Sequence, residues 1–306
     1  MIRHFISLKD FSKPDIYNFI NLTLDIKRNP VKYKDALSGK CVGLFFEKPS
    51  LRTKAAFCVG AYQLGGHAVY YAPSEVQLGK REATADVSRT VSRFFDVAVL
   101  RTFAHGNILE FAKMSSVPVI NALSDAMHPS QILGDLVTMC ELKGDIEKLK
   151  IAYIGDGNNV CNSLMHAFAI LGGNLVIASP KGYQPNKKNI EEISEFAKIS
   201  GAKIKIVASA EEAAKDADVL YTDVWASMGQ EKEKARRKKI FSKFQINDKI
   251  LGLAKKDCAV THCLPAHRGE EITDSVMESK NSEVFLQAEN RLHTAKAILV
   301  YVFKGM

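Results

Sequence analysis

The sequence predicts an α/β protein of two domains, each with a central parallel sheet flanked by helices, and with ligands in the cleft between the domains. Short apolar runs typical of buried strands alternate with segments of helical periodicity, which is the pattern of βαβ units. The chain has 306 residues, more than one domain usually contains. With 46% hydrophobic and 25% charged residues, it resembles an ordinary globular protein in composition.

Apolar runs mark nine predicted strands, each short enough to be buried in a parallel sheet. They cover 41–46, 67–71, 97–100, 117–120, 151–154, 174–178, 204–207, 219–222 and 259–262. Helices are predicted over 13–24, 55–64, 83–94, 108–114, 130–143, 160–171, 189–199 and 288–303. The alternation is interrupted at Gly144. We therefore expect domains at 1–143 and 144–285, with a final helix in 286–306 that packs back toward the first domain.

The segment after the first strand is Glu47-Lys48-Pro49-Ser50-Leu51-Arg52-Thr53-Lys54, and it opens a helix. The first N–H groups of a helix lack intrahelical partners and attract anions, most often phosphate. Ser50 and Thr53 add hydroxyl groups, and Arg52 adds a planar donor suited to phosphate oxygens. The alternative is an ordinary helix start, with Ser50 as its cap and the basic side chains in water.

Polar residues follow other predicted strands as well. Arg101 ends the third strand, which favours a second phosphate contact over a surface arginine. His128 and Gln131 stand around a helix start, where they could hold a carbonyl and an amide. Asp223 could receive an ammonium ion, and Gly229 would let the segment after it move. The five clusters together predict one ligand site beyond the carboxyl ends of the strands.

The last two clusters have competing explanations. In His262-Cys263-Leu264-Pro265-Ala266-His267 a zinc site is conceivable, but no paired-ligand spacing supports it. A cleft-facing, partly exposed thiolate beside cations is the better interpretation of Cys263. Arg291 places a cation at the start of the last helix, where a buried pairing with Glu289 is the alternative.

Several classes of protein are disfavoured. Gly155-Asp156-Gly157-Asn158-Asn159 lacks the third glycine of a dinucleotide fingerprint, and no ribose-binding acid follows the next strand, which argues against an NAD enzyme. The net charge is +8, but the basic run 231–239 has mixed signs and is predicted to be a solvated helix face, so we expect no nucleic-acid partner. No run approaches the roughly 20 apolar residues that span a bilayer, and we expect no membrane partner.

The N-terminus and the cysteines predict a cytoplasmic protein. Residues 1–5 lack the features of a signal peptide. The cysteines are irregularly spaced, as free thiols are, and all but Cys263 are expected in the core. The six are Cys41, Cys58, Cys140, Cys161, Cys258 and Cys263.

Taken together, these motifs resemble those of the ornithine carbamoyltransferases, over essentially the whole chain. The family's phosphate motif resembles Ser50-Leu51-Arg52-Thr53-Lys54, and its carbamoyl motif is His128-Pro129-Ser130-Gln131. Its ornithine motifs are matched by Asp223-Val224-Trp225 and Ser227-Met228-Gly229, and its cysteine motif by His262-Cys263-Leu264-Pro265. Aspartate carbamoyltransferases share the first two motifs but not Ser-Met-Gly or His-Cys-Leu-Pro, which favours ornithine.

The resemblance implies that the δ-amine of L-ornithine attacks carbamoyl phosphate, giving L-citrulline and phosphate in arginine metabolism, with no metal or organic cofactor. Putrescine, N-acetylornithine and aspartate remain alternative acceptors. The first domain would bind carbamoyl phosphate and the second ornithine. The carbamoyl phosphate contacts implied are Ser50, Leu51, Arg52, Thr53, Gln77, Arg101, His128, Gln131, Cys263, Leu264 and Arg291. The ornithine contacts implied are Asn159, Asp223, Ser227 and Met228, and the catalytic residues are Cys263, Arg101, His128 and Arg291.

The family's members are trimers or multiples of trimers, with active sites between subunits. By the same resemblance, Gln77 reaches a neighbour's carbamoyl phosphate, and the segment 227–230 closes over ornithine. Two side chains depart from the family's pattern, since Leu51 stands where threonine is usual and Lys54 where arginine is usual. Both departures predict a weaker affinity for phosphate, because one hydroxyl contact and one bidentate donor are lost.

Overall fold

The structure, a computed structural model, describes residues 2–227 and 229–305, which form two compact units. The first unit runs up to Val137 and also takes in the chain from Glu289 onward. The second unit is Thr138–Ala288. Within the described residues, no helix is both long enough and apolar enough to cross a bilayer.

The first unit is built on a parallel sheet with the strand order β2-β1-β3-β4. Its strands are β1 Cys41–Phe46, β2 His67–Tyr71, β3 Val97–Arg101 and β4 Val119–Leu123. Its helices are α1 Lys13–Arg28, α2 Pro30–Tyr33, α3 Leu51–Gln63, α4 Thr84–Phe94, α5 His105–Met114 and α6 Pro129–Lys143, the last continuing into the second unit. Phe45, Phe95, Leu100 and Phe111 form part of its apolar core.

The second unit has a parallel sheet of order β7-β6-β5-β8-β9. Its strands are β5 Lys150–Ile154, β6 Asn174–Ala178, β7 Lys203–Val207, β8 Val219–Thr222 and β9 Ala259–His262. The helices that follow α6 are α7 Asn159–Leu171, α8 Lys187–Ser200, α9 Ala210–Ala214, α10 Lys234–Phe241, α11 Asp248–Leu251, α12 Asp274–Met277 and α13 Val284–Lys304, the last ending in the first unit. Leu220, Trp225, Phe241 and Val260 pack in its core.

The predicted fold class is confirmed, with differences at the ends of elements. β4 begins after Pro118 rather than at Val117, because proline has no N–H to donate to the ladder, although its carbonyl accepts from Ala98. Helix α3 begins four residues before the predicted 55–64, at Leu51, because Ser50 caps it.

The six cysteines are free thiols, but the core prediction was wrong for part of the set. Only Cys161 and Cys258 are fully buried among the five expected in the core. Cys41, Cys58 and Cys140 are half-buried.

Candidate active site

The two sheets each reverse their strand order at one point, and the polar residues gather there. In the first sheet the reversal lies between β1 and β3, so the turn before α3 and Arg101 are neighbours, with Phe46 and Arg101 in register. In the second sheet it lies between β5 and β8, which brings Asn158 beside Asp223. Such switch points are where open α/β sheets bind ligands.

The start of α3 is a capped helix end that can still receive an anion. The Ser50 hydroxyl accepts a hydrogen bond from the Thr53 N–H over 3.2 Å, so the capping interpretation is confirmed. The cap satisfies one donor, and a helix start presents several. Thr53 is buried, whereas Leu51 is 77% exposed.

Two buried cations lie next to this helix start. Arg101 is 6% exposed and Lys48 only 7% exposed, so Lys48 does not stand in water as the alternative supposed. Burial and then the charge of Arg101 lower the pKa of Lys48. Its ammonium packs 4.3 Å from the centre of the Phe103 ring. Like charges buried together favour an anionic guest, because its charge offsets their repulsion. Sequence reasoning missed Lys48 as a site residue.

Arg291 adds a third buried cation to the polar group of the first unit, and His128 adds a buried imidazole. Burial, followed by the charges of Arg291, Arg101 and Lys48, holds the pKa of His128 well below its usual range. The imidazole is therefore neutral at pH 7 and donates through a single N–H. Arg291 donates from Nη2 to the Thr53 hydroxyl over 2.6 Å, which fastens α13 to α3.

The expected surroundings of Arg291 need correction. Helix α13 begins at Val284, so Arg291 lies two turns into the helix rather than at its start. Glu289, the alternative partner, lies 3.6 Å from the Lys27 ammonium and 3.4 Å from the His293 ring instead.

Gln131 lies in the first turn of α6 with its amide oriented by a buried carboxylate. Its Nε2 donates to Asp135 Oδ1 over 2.8 Å, and both residues are buried. The Gln131 Oε1 atom is buried and has no hydrogen-bond partner within the described residues. The side chain therefore presents an acceptor suited to an amide N–H. Asp135 was not predicted, although its position four residues after Gln131 on one helix was a usable signal.

In the second unit, Asp223 is the centre of a polar group. Its Oδ2 accepts from Asn158 Nδ2 over 2.7 Å, and its Oδ1 accepts from the Cys263 thiol over 2.9 Å and from the Val224 N–H over 2.8 Å. Asn159, the expected ornithine contact, is the next residue after Asn158 and the first of α7. Asn158 also caps α7 by accepting from the N–H groups at the helix start.

The predicted environment of Cys263 was wrong. The side chain is 8% exposed and its thiol faces a carboxylate, so it is a buried hydrogen-bond donor rather than a partly exposed thiolate beside cations. Ser227 is half-buried, and its N–H donates to Gln230 Oε1 over 3.0 Å. Met228 lies outside the described residues. Gln77 is exposed, in the segment between β2 and α4.

The basic run 231–239 also differs from its prediction. Most of its described side chains are exposed, as expected, but Arg237 is 7% exposed. Its guanidinium donates to Asp156 Oδ2 and to the Trp225 carbonyl, each over 2.9 Å. The run is therefore anchored into the second unit by one of its own cations.

Two groups of side chains in the described residues could hold a metal ion by proximity alone. In the first, Asp223, His262 and Cys263, both ring nitrogens of His262 already have hydrogen-bond partners. In the second, His267, Glu270 and Glu271, the Glu270 carboxylate lies 3.6 and 3.5 Å from two lysine ammonium groups. Neither arrangement suits a metal ion.

Comparison with known proteins identifies relatives along the whole chain. Residues 3–141 match the carbamoyl-phosphate-binding domain of aspartate/ornithine carbamoyltransferases, and residues 147–302 match the aspartate/ornithine-binding domain. A catabolic ornithine carbamoyltransferase of Thermoplasma volcanium is 48% identical over 97% of each chain.

Solved structures agree with the sequence relatives. The structure of the ornithine carbamoyltransferase from Pyrococcus furiosus has a TM-score of 0.95 and 44% identity, covering 99% of this chain and 98% of its own. That of the anabolic ornithine carbamoyltransferase from Campylobacter jejuni has a TM-score of 0.95 and 40% identity, covering 100% of both chains.

Proposed function

Because the chain belongs to the ornithine carbamoyltransferases and transfers the carbamoyl group of carbamoyl phosphate to L-ornithine, giving L-citrulline and phosphate, we propose that its two polar groups hold these two substrates. The group in the first unit holds carbamoyl phosphate, and the group in the second unit holds ornithine. The observation that carries this assignment is the set of buried cations beside the start of α3, since phosphate is the charged part of the donor substrate.

Phosphate binding is assigned to Ser50, Leu51, Arg52 and Thr53, with Arg101 opposite. The first helical N–H groups and the guanidinium groups supply donors for its oxygens. Lys48, which sequence reasoning left out, adds a positive charge within the influence of Arg101. The carbamoyl amide is assigned to the buried Gln131 Oε1 atom and, by resemblance, to Leu264.

His128 and Arg291 are assigned to the carbonyl oxygen, which gains negative charge as the amine attacks. The amine forms a C–N bond, the bond between the carbonyl carbon and the phosphate oxygen breaks, and phosphate departs with the electron pair. Donors fixed before the reaction stabilise that charge without reorganisation. Arg291 is held by Thr53, and His128 by its burial at the start of α6.

Ornithine is assigned to Asn159, Asp223, Ser227 and, by resemblance alone, Met228. Asp223 is the only carboxylate among them and suits the α-ammonium group. The Cys263 thiol donates to Asp223 and so lies beside the proposed position of ornithine, which suits a role in orienting the δ-amine. The amine must lose a proton to react, and the departing phosphate can receive it.

The wider setting is proposed on chemical grounds. Carbamoyl phosphate is a mixed anhydride and a far better carbamoyl donor than citrulline, which supports a role in arginine biosynthesis. The free thiols of the described residues suit a reducing compartment such as the cytoplasm. The relatives compared above include both a catabolic and an anabolic enzyme. We further propose a homotrimer or a multiple of trimers.

A pair of variants tests the assignment of substrates to units. We expect Arg52→Ala to weaken binding of a phosphonate analogue of carbamoyl phosphate about 100-fold, the value of a charged hydrogen-bond pair. Asp223→Asn should leave that affinity unchanged and raise the KM for ornithine by a similar factor. Calorimetry and citrulline formation measure the two effects. Normal phosphonate affinity in Arg52→Ala would show that Arg52 does not bind the phosphate. Loss of both affinities in either variant would contradict the assignment of one substrate to each unit.

A further inference from the structure

The loop that follows β9 carries Cys263 and Leu264, and one carboxylate oxygen holds both of its ends. At the first end, His262 Nε2 lies 3.0 Å from Glu271 Oε1. At the other end, the His267 N–H donates to the same Oε1 atom over 2.5 Å. Glu271 is 0% exposed and His262 is buried beside it. The four residues 263–266 are therefore closed into a loop by a single buried group.

The hydrogen bonds around the His262 ring fix its tautomer. The Leu264 N–H donates to Nδ1 over 2.9 Å, so Nδ1 is an acceptor and carries no hydrogen. The ring hydrogen of the neutral imidazole is then on Nε2, from which it donates to Glu271. The carboxylate thus keeps the ring in the one tautomer that can accept from Leu264, as carboxylates behind metal-binding histidines do.

Leu264 is held in a backbone conformation that its own side chain disfavours. Its φ is +54°, in the left-handed region that residues other than glycine rarely adopt. The hydrogen bond from its N–H to the His262 ring is a contact that supports this conformation. The Cys263 thiol lies 2.9 Å from Asp223 Oδ1. Because Leu264 follows Cys263 directly, we expect a change in the Leu264 backbone to displace this thiol.

The supports of the loop are themselves bound to the body of the second unit. The His262 N–H donates to the buried Gln287 Oε1 over 2.8 Å. The Glu271 carbonyl accepts from the Ile246 N–H over 2.9 Å, and Ile246 is in the core. A side chain that must be placed within a fraction of an ångström needs such a rigid second layer.

We propose that Glu271 and His262 are positioning residues for carbamoyl transfer, acting through the Leu264 backbone to hold Cys263 and Leu264 for the substrates. The proposal rests on the roles proposed above for Cys263 and Leu264. Neither residue touches a substrate in that scheme. We call the hydrogen bonds of Glu271 Oε1 to His262 and His267, together with that of the Leu264 N–H to His262, the clamp. Loss of the clamp should therefore lower kcat rather than the affinity for the phosphate of carbamoyl phosphate, whose proposed contacts are in the first unit.

The two His262 amide variants separate the two halves of the clamp. His262→Asn places an amide oxygen near the position of Nδ1, so it can still accept from Leu264 but no longer reaches Glu271. His262→Gln can reach Glu271 but leaves Leu264 without its acceptor. We expect kcat to fall about 10-fold in His262→Asn and about 100-fold in His262→Gln, the scale of a misplacement approaching 1 Å. Equal kcat values for wild type and His262→Gln would overturn the proposal.

Glu271 is tested by a conservative and a disruptive change. Glu271→Gln keeps an oxygen that can accept both N–H groups, and we expect kcat within about 3-fold of wild type. Glu271→Met removes the acceptor, and we expect a 10- to 100-fold loss of kcat with the affinity for inorganic phosphate, a ligand of the first unit, unchanged. In the double variant His262→Gln/Glu271→Met, the second change should lower kcat little further, because both changes act through the same contact. Full additivity would contradict an action through His262.

A matched control distinguishes positioning from general destabilisation. Asp218 is another buried carboxylate of the second unit; it accepts from the Lys150 N–H over 2.9 Å and lies at the amino end of β8, whereas Cys263 follows the carboxyl end of β9. Asp218→Asn should lower stability but leave kcat unchanged. Alkylation of Cys263 by iodoacetamide, followed by peptide mapping, should speed up in Glu271→Met and not in Asp218→Asn. Normal kinetics of Cys263→Ser would contradict the proposed role of Cys263. Impaired Cys263→Ser together with normal Glu271→Met would contradict only the positioning role of Glu271.

Discussion

Individual residues of the proposed phosphate site show where this chain departs from the family's pattern. Leu51 is the first residue of α3 and stands where the family's pattern has threonine, and its apolar side chain is exposed. Lys54 stands in place of an arginine, and its ammonium lies 3.6 Å from the centre of the Tyr70 ring, a cation–π contact. The Lys54 ammonium thus already interacts with an aromatic ring of the protein. The hydroxyl missing at Leu51 is therefore the departure that we expect to weaken phosphate binding more.

Restoring that hydroxyl should strengthen phosphate binding. A neutral hydrogen bond contributes about 0.5–1.5 kcal/mol, so Leu51→Thr should lower the KM for carbamoyl phosphate about 2- to 10-fold. Leu51→Val is the matched control, because valine has the shape of threonine without the hydroxyl. Steady-state kinetics at saturating ornithine measures the effect. The same gain in both variants would assign it to side-chain shape and not to the hydroxyl.

At the scale of elements, Arg237 joins three segments of the second unit. It belongs to α10, and it binds Asp156 in the turn after β5, the Trp225 carbonyl after β8, and Glu233 one turn earlier. Its guanidinium also lies 4.9 Å from the centre of the Tyr183 ring. The segment that follows Ser227 is thereby attached to the switch point of the sheet, where ornithine is proposed to bind.

The Asp156 carboxyl makes this junction sensitive to pH. Burial, opposed by Arg237, raises its pKa from 3.8 to about 6. Between these values the folded state binds more protons than the unfolded state, so stability is lost as the pH rises from about 4 to about 6 and is constant above. Relative to Asp156→Asn, the wild type should lose about 3 kcal/mol of unfolding free energy across that range.

Urea unfolding followed by fluorescence measures this effect in the second unit, because Trp225 is the chain's single tryptophan and is buried there. The comparison is made at several pH values from 4 to 7. A constant difference between wild type and Asp156→Asn would mean that Asp156 does not titrate in this range. A difference that grows in favour of the wild type would mean that Arg237 outweighs burial.

The same elements show what a sequence can predict. All nine strands of the described residues were predicted, seven of them because both faces of the sheet are covered there and the strands are largely buried; β2 and β7 are partly exposed. Helices α2, α9, α11 and α12 were missed because four or five residues cannot display helical periodicity.

Motif residues such as Thr53 and Asp223 were predicted because chemistry and strand position coincide. Lys48 and Glu271 were not predicted as members of the proposed site. Their importance depends on burial and on partners, which single residues in a sequence do not reveal.

For the whole molecule, one rule of topology accounts for the positions of the two proposed substrate sites. Each unit has a parallel sheet with one reversal of strand order, and each reversal collects polar side chains at the carboxyl ends of two strands. A reaction between an anionic donor and an amine uses two such collections, one rich in buried cations and one centred on a carboxylate. Gln77 is exposed on the segment between β2 and α4 and is flanked by the buried Val76 and Leu78.

The proposed trimer gives Gln77 a place in a site built by two subunits, and subunit mixing tests it. Arg52→Ala and Gln77→Ala chains should each be nearly inactive alone. If each site takes Arg52 from one chain and Gln77 from its neighbour, trimers reassembled from equal amounts of both should contain intact sites. An intact site takes Arg52 from a Gln77→Ala chain and Gln77 from a neighbouring Arg52→Ala chain. In an equal mixture about one quarter of the sites should meet both conditions, with a matching share of wild-type activity. Mixing without reassembly is the control. If reassembled trimers of proven mixed composition stay inactive, Gln77 and Arg52 serve the same chain's site.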